Sequence, residues 1–361
     1  MRNKTFDKIK AVACILVILI HCKFPSVIGD LFEALARFGV PMFFAIAGVY
    51  LAKKNDDITL VRKGLSKKLK KTSIITLKIW GVYTVYSFIY AMAVNYGAAA
   101  WFHEKFNLFE FSRLILFNSG KFIYDFTYAF DHLWYLLALI YVYGLCYIFA
   151  PVMKTLSKPL TFILILFLYF GEFLQLFYPI RPFGISVSVW YVIRNWLFVG
   201  IPFTMLGYWM KQDEVTLKLE QSLTLGNVLS VTGVFLTFAE YKIFGSVEVY
   251  FGSLFLVVGL LIVGLNAEHS THEKRPAAEK GRPAKYLAFT GENLSSNIYY
   301  FHVIAISFFG FVIDRTVPDA YANTLFMYLR PIFVIIITIL ISLLLYMVKF
   351  ITVNSNKNLR K

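Results

Sequence analysis

Five positions near the N-terminus, Asp7, Lys10, Cys14, Val17 and His21, step by three or four residues and so share one face of an otherwise apolar helix. A carboxylate and an amine open this stripe, and an imidazole closes it. An imidazole changes charge nearest to neutral pH, which suits it to proton transfer. Asp7 and Lys10, one turn apart, suit an ion pair. From Lys10 to His21 the helix rises about 16 Å, roughly half of a ~30 Å hydrocarbon layer. With Lys10 at a membrane surface, His21 falls at or beyond mid-membrane.

Other ionisable residues interrupt apolar runs: Glu172, Arg194 and His302 inside them, and Arg37, His132 and Glu292 at their ends. Placing a charge at the bilayer centre costs about 2.5 kcal/mol or more, so each of these is a functional candidate. The competing role for a lone membrane histidine is a helix–helix hydrogen bond worth about 1 kcal/mol. Cys14, Cys22 and Cys146 form no C-x-x-C pair and lie in or beside apolar runs, which suits packing rather than a disulfide framework or a zinc site. His269 and His272 stand three apart in a polar loop with no third ligand, so no metal is expected.

The elements that must position these residues follow from composition. Of 361 residues, 58% are hydrophobic and only 16% charged, the balance of an all-α, polytopic membrane protein. Ten spans are expected, at about 9–24, 38–52, 73–100, 132–152, 159–178, 186–210, 222–240, 247–266, 286–313 and 324–350, within a single domain over 1–361. The basic N-terminus before an apolar run resembles a signal peptide, but no small-x-small cleavage site follows, so the run reads as an uncleaved first span. Lys and Arg concentrate in the N-terminal tail, in residues 53–71 and 267–285 and after Lys349, which places both termini in the cytosol. The net charge of +15 is accounted for by these loops, and no nucleic-acid motif is present. The run over 53–71 suits either phosphates of a nucleotide or coenzyme A or, as the more economical reading, anionic lipid headgroups. The segment 101–131, alternating aromatic and charged residues on the outer side, suits either acceptor docking or an amphipathic cap.

Four motifs in sequence carry a resemblance. D-x-x-K followed by His21, then RFGVPMFFAIAG over 37–48, HLWYL over 132–136, and S-x-x-x-Y-x-x-H ending at His302 are similar to those of the acyltransferase 3 family, bacterial integral-membrane enzymes that O-acylate envelope carbohydrates. The resemblance implies a ten-span bundle in the bacterial cytoplasmic membrane. It also implies transfer of an acyl group, usually acetyl, from cytosolic acetyl-CoA to a hydroxyl of a glycan or lipid-linked sugar, with no permanently bound cofactor. His21 matches the family's essential histidine, Lys10 its basic partner, Arg37 the arginine before the second motif, His132 and Trp134 the third motif, and Tyr299 and His302 the last. Lys10 stands where Arg is common, losing the two-point fork, and Ala47 stands where Ser is frequent, removing a hydroxyl.

On this reading His21 takes the proton of a sugar hydroxyl as it attacks a thioester, or is itself acylated first. Asp7 orients Lys10, Arg37 and His132 are candidates to stabilise the oxyanion, and Trp134, Arg194, Tyr299 and His302 are candidates for substrate contact. A transporter of a polysaccharide or small solute is the alternative that the same intramembrane charges allow.

Overall fold

The computed structural model describes residues 2–52, 57–123, 125, 131–177, 193–212, 218, 222–272 and 281–358. The start of the span expected at 186–210 and the side chains of Gln175, His269 and His272 lie outside the described residues. All regular structure among the described residues is helical, a polytopic membrane bundle. Among the described residues, six helical segments are long and apolar enough to cross a membrane by length and composition, and three more, Trp134–Ile148, Trp196–Met210 and Phe251–Ala267, are apolar but shorter. The chain divides into two compact units, Met1–Gly39 with Ser270–Lys361, and Val40–His269.

The first unit is built around α1 (Lys4–His21). Asn3 caps it, its side-chain oxygen accepting from the amides of Thr5 and Phe6 at 3.0 Å each. The apolar residues of α1, including Phe6, Ile9, Ala13 and Ile18, are buried. After a tight turn at Ser26, whose φ of 64° is left-handed, α2 (Ser26–Ala36) packs back on α1. The chain then leaves through α3 (Gly39–Val49).

The unit is completed by four segments that also pack on α1. They are a short helix over Gly281–Phe289, a π-helical turn over Thr290–Leu294, a helix over Ser295–Thr316, and the last helix, Thr324–Asn358.

In the second unit, α4 (Ile58–Ala93) begins at an Asp57 cap, so the described part of the basic 53–71 segment is the first turns of a helix and not a loop. The reason is local. Val61 and Leu65 bury one face, and Arg62 and Lys68 lie over the rings of Tyr147 and Tyr143 at 5.8 and 5.7 Å. The helix ends earlier than the span expected at 73–100, because Asn95 and Gly97 adopt φ of 57° and 94°. α5 (Ala98–Lys105), α6 (Leu108–Phe117), α7 (Trp134–Ile148), α8 (Met153–Phe177), α9 (Ile201–Met210), α10 (Leu223–Phe244) and α11 (Phe251–His272) follow.

In the order that completes the chain, the first unit's closing helices are α12 (Gly281–Phe289), α13 (Ser295–Thr316) and α14 (Thr324–Asn358). Two of the contacts in the second unit are backbone to backbone. A Cβ on Gly48 of α3 would strike the carbonyl of Thr204, and one on Gly207 of α9 would strike that of Ala45. Small residues let membrane helices approach this closely.

The segment between α4 and α7 is fixed by a buried charge pair. Lys105 Nζ lies 2.9 Å from Asp125 Oδ2, with the two side chains 1% and 2% exposed. Ser87 of α4 donates to the same carboxylate at 2.5 Å and accepts from the Trp101 indole at 2.8 Å. Burial pulls the Lys105 ammonium below its usual range, while Asp125 pushes it back up. The cap is thus held by polar bonds as well as by its aromatic residues. Removing one partner strands the other charge: Asp125→Ala should lower unfolding stability by about 3–5 kcal/mol, whereas Lys105→Met with Asp125→Leu should approach wild type. Denaturant unfolding of the detergent-purified variants measures the difference, and an unchanged Asp125→Ala protein would contradict the clamp.

Candidate active site

The polar end of α1 forms first from local sequence and then from tertiary contact. Asp7 and Lys10 meet at 2.6 Å, as their i,i+3 spacing requires, with Asp7 almost wholly buried. Arg2 closes on the same carboxylate with Nε at 2.7 Å and Nη2 at 3.1 Å. Arg2 also donates to the Glu292 carbonyl at 3.1 Å and approaches its carboxylate at 3.5 Å. The π-helical turn therefore sits directly on α1. Glycine is required there, because a Cβ on Gly291 would overlap the Asp7 carbonyl.

Further along, the Cys14 thiol donates to the Ser295 carbonyl at 3.5 Å, and the His21 ring stands 5.3 Å from that of His302, centroid to centroid. Asp7, Cys14 and His21 thus meet Gly291, Ser295 and His302 in the same order, so α1 and α13 run side by side in the same direction. This is how two histidines remote in sequence become neighbours.

His302 is 1% exposed. Its Nδ1 lies 3.1 Å from the Ile298 carbonyl and 2.9 Å from that of Tyr299. A carbonyl only accepts, so the proton of the neutral ring is on Nδ1 and the lone pair on Nε2. The Tyr299 ring stands 6.2 Å away. His21, half-buried, is the last residue of α1. Arg37, at the end of α2, gives Nη2 to Glu33 at 2.7 Å.

The remaining sequence candidates belong to the second unit. His132 is buried, its ring 5.2 Å from that of Tyr83 on α4. Trp134 packs by Phe44 at 6.4 Å, and Arg194 pairs with Glu248 at 3.0 Å. Glu172 accepts from the Val249 amide at 3.3 Å. The structure thus brings Asp7 to Lys10 and His21 to His302. It also adds Arg2, which sequence reasoning missed because its partners are set by tertiary packing. The Lys105–Asp125 pair was equally hidden, since only the fold shows these charges to be buried.

The family model described as an acyltransferase domain matches residues 3–347, nearly the whole chain, and the protein belongs to the acyltransferase 3 family. It is a membrane acyltransferase. No curated protein and no solved structure matches it.

Asp7 is the shared anion of two cations. Asp7→Ala should therefore cost about 1–3 kcal/mol of stability by removing the buried carboxylate that Lys10 and Arg2 share. A thermal-unfolding midpoint equal to wild type for that variant would show that the cluster does not hold α1 in place.

Proposed function

We propose that the protein transfers an acyl group, acetyl in the first instance, from acyl-CoA to a hydroxyl of an envelope glycan or lipid-linked sugar, with His21 as general base. The observation that carries this reading is the pairing of His21 with a second imidazole whose tautomer is fixed by two backbone carbonyls. With Nδ1–H donated, His302 presents Nε2 as an acceptor beside His21 and can orient that ring or share its proton.

A sugar hydroxyl is a weak nucleophile at neutral pH. As its oxygen bonds to the thioester carbon, the hydroxyl proton passes to His21. When the tetrahedral intermediate collapses, the C–S bond breaks and the imidazolium returns that proton to the departing thiolate, leaving an ester and free CoA. A positive or hydrogen-bonding group opposite the nucleophile stabilises the oxyanion. Arg37 and His132 are the candidates for that role, with Arg37 poised by Glu33. Trp134, Arg194 and Tyr299 remain proposed substrate contacts.

The Arg2–Asp7–Lys10 cluster marks the end of α1 assigned to the cytosolic surface, where the phosphates of CoA would stay while the thioester arm extends toward His21. This orientation, with both termini cytoplasmic in a bacterial inner membrane, rests on the distribution of Lys and Arg. Family membership favours acyl transfer over solute transport.

Purified protein given acetyl-CoA and an acceptor should release free CoA, with His21→Ala lowering kcat by roughly 10²–10⁴. Mass spectrometry of envelope glycans from cells carrying that variant should show an ester lost. CoA release indifferent to His21 would overturn the assignment.

A further inference from the structure

Beyond the end of α1, Arg330 makes no ion pair among the described residues. Lys23 is matched by Asp30 at 2.9 Å and Glu33 at 3.4 Å, and Arg37 by Glu33 at 2.7 Å. Arg330, seven residues into the apolar α14, has no described carboxylate within ion-pair distance. Its Nε is buried and makes no hydrogen bond. A guanidinium here is expensive to insert, and reaching water or headgroups would be its ordinary relief. Half-buried, it lies over the Tyr321 ring, 5.4 Å from the centroid. Tyr321 belongs to the 3-10 turn Pro318–Ala322 that follows α13. Tyr328, one turn before it, is bonded to Ser26 at 3.2 Å, which ties this end of α14 to the start of α2. Ser26 stands five residues after His21, so this bond sets the start of α14 by the end of α1 that carries the proposed base.

We propose that Arg330 binds an anionic group of the acceptor, a phosphate or carboxylate carried by the sugar, at the His21 end of α1. The proposal rests on the acyltransferase reading only for the word acceptor. The planar fork of an arginine suits both anions, since each offers two oxygens to two parallel N–H donors. Holding the anion at this end of α14 would place a neighbouring sugar hydroxyl toward the imidazole, making Arg330 a specificity-determining residue.

The test is binding by purified protein, read as protection against thermal unfolding by glucose 1-phosphate, glucuronate or glucose. Wild type should be protected by one or both charged sugars at concentrations roughly ten to a hundredfold lower than by glucose. Arg330→Gln should erase that preference, and Arg330→Lys should retain part of it. Phosphate and carboxylate are distinguished by which charged sugar is preferred. Anionic phosphatidylglycerol nanodiscs form a further arm, and protection by the lipid with no preference among the sugars would assign the residue to a headgroup and overturn the proposal. Equal protection by all three sugars in wild type, or a preference intact in Arg330→Gln, would also overturn it. The preference should persist in His21→Ala, so a failure of the base assignment, read by CoA release, is separate from a failure of this one.

Discussion

The contact on which the first unit depends is the laying of the π-helical turn and α13 along α1, with no side chain between the backbones at Gly291. A residue with a Cβ would hold the two apart at Asp7, and the separation would be felt at His21 and His302, whose rings meet further along the same pair of helices. The polar cluster at the near end acts with this contact. Asp7 gathers Lys10 from its own helix and Arg2 from the tail, and Arg2 in turn grips Glu292 on the opposing turn. One buried carboxylate thereby ties α1 both to the N-terminal tail and to the turn beside it. Rigid placement of this kind matters because proton transfer tolerates little error in distance.

Much of this was legible in the sequence, and the reasons differ by residue. The Asp7–Lys10 pair follows from helical periodicity alone, and the structure has it at 2.6 Å. The class of protein follows from composition, and the family from four motifs in a fixed order. The meeting of His21 with His302 did not follow, because each lies in an apolar run with no local sign of its partner. Periodicity defines a helix face but not which other face it meets. The basic 53–71 segment reads as a loop on charge alone, yet its described part is helical because buried Val61 and Leu65 and a capping Asp57 outweigh the repulsion of its solvated lysines.

The second unit solves a different problem with similar means. Glycines on α10 and α11 mesh, Gly233 against the backbone of Gly252 and Leu256, and Gly259 against Ser230, so these two apolar helices pack closely. Charges are used where the chain turns. Glu240 of α10 accepts from the amides of Phe251 and Gly252 at 2.8 and 2.6 Å, capping α11 across the intervening loop. Lys105 and Asp125 pin the segment between α4 and α7 through a side-chain ion pair. Inside the bilayer, then, close packing sets helix spacing, and buried polar bonds set where helices end.

The central claim is that His21 works beside a second imidazole held in one tautomer. Nitrogen-15 NMR of the histidine-labelled, membrane-reconstituted protein tests it most directly, with His21→Ala and His302→Gln spectra to assign the signals. The account predicts a neutral His302 ring protonated at Nδ1, and a through-space cross-peak between the two rings. A His302 ring protonated at Nε2 with Nδ1 bare, or two histidines with no mutual contact, would contradict it.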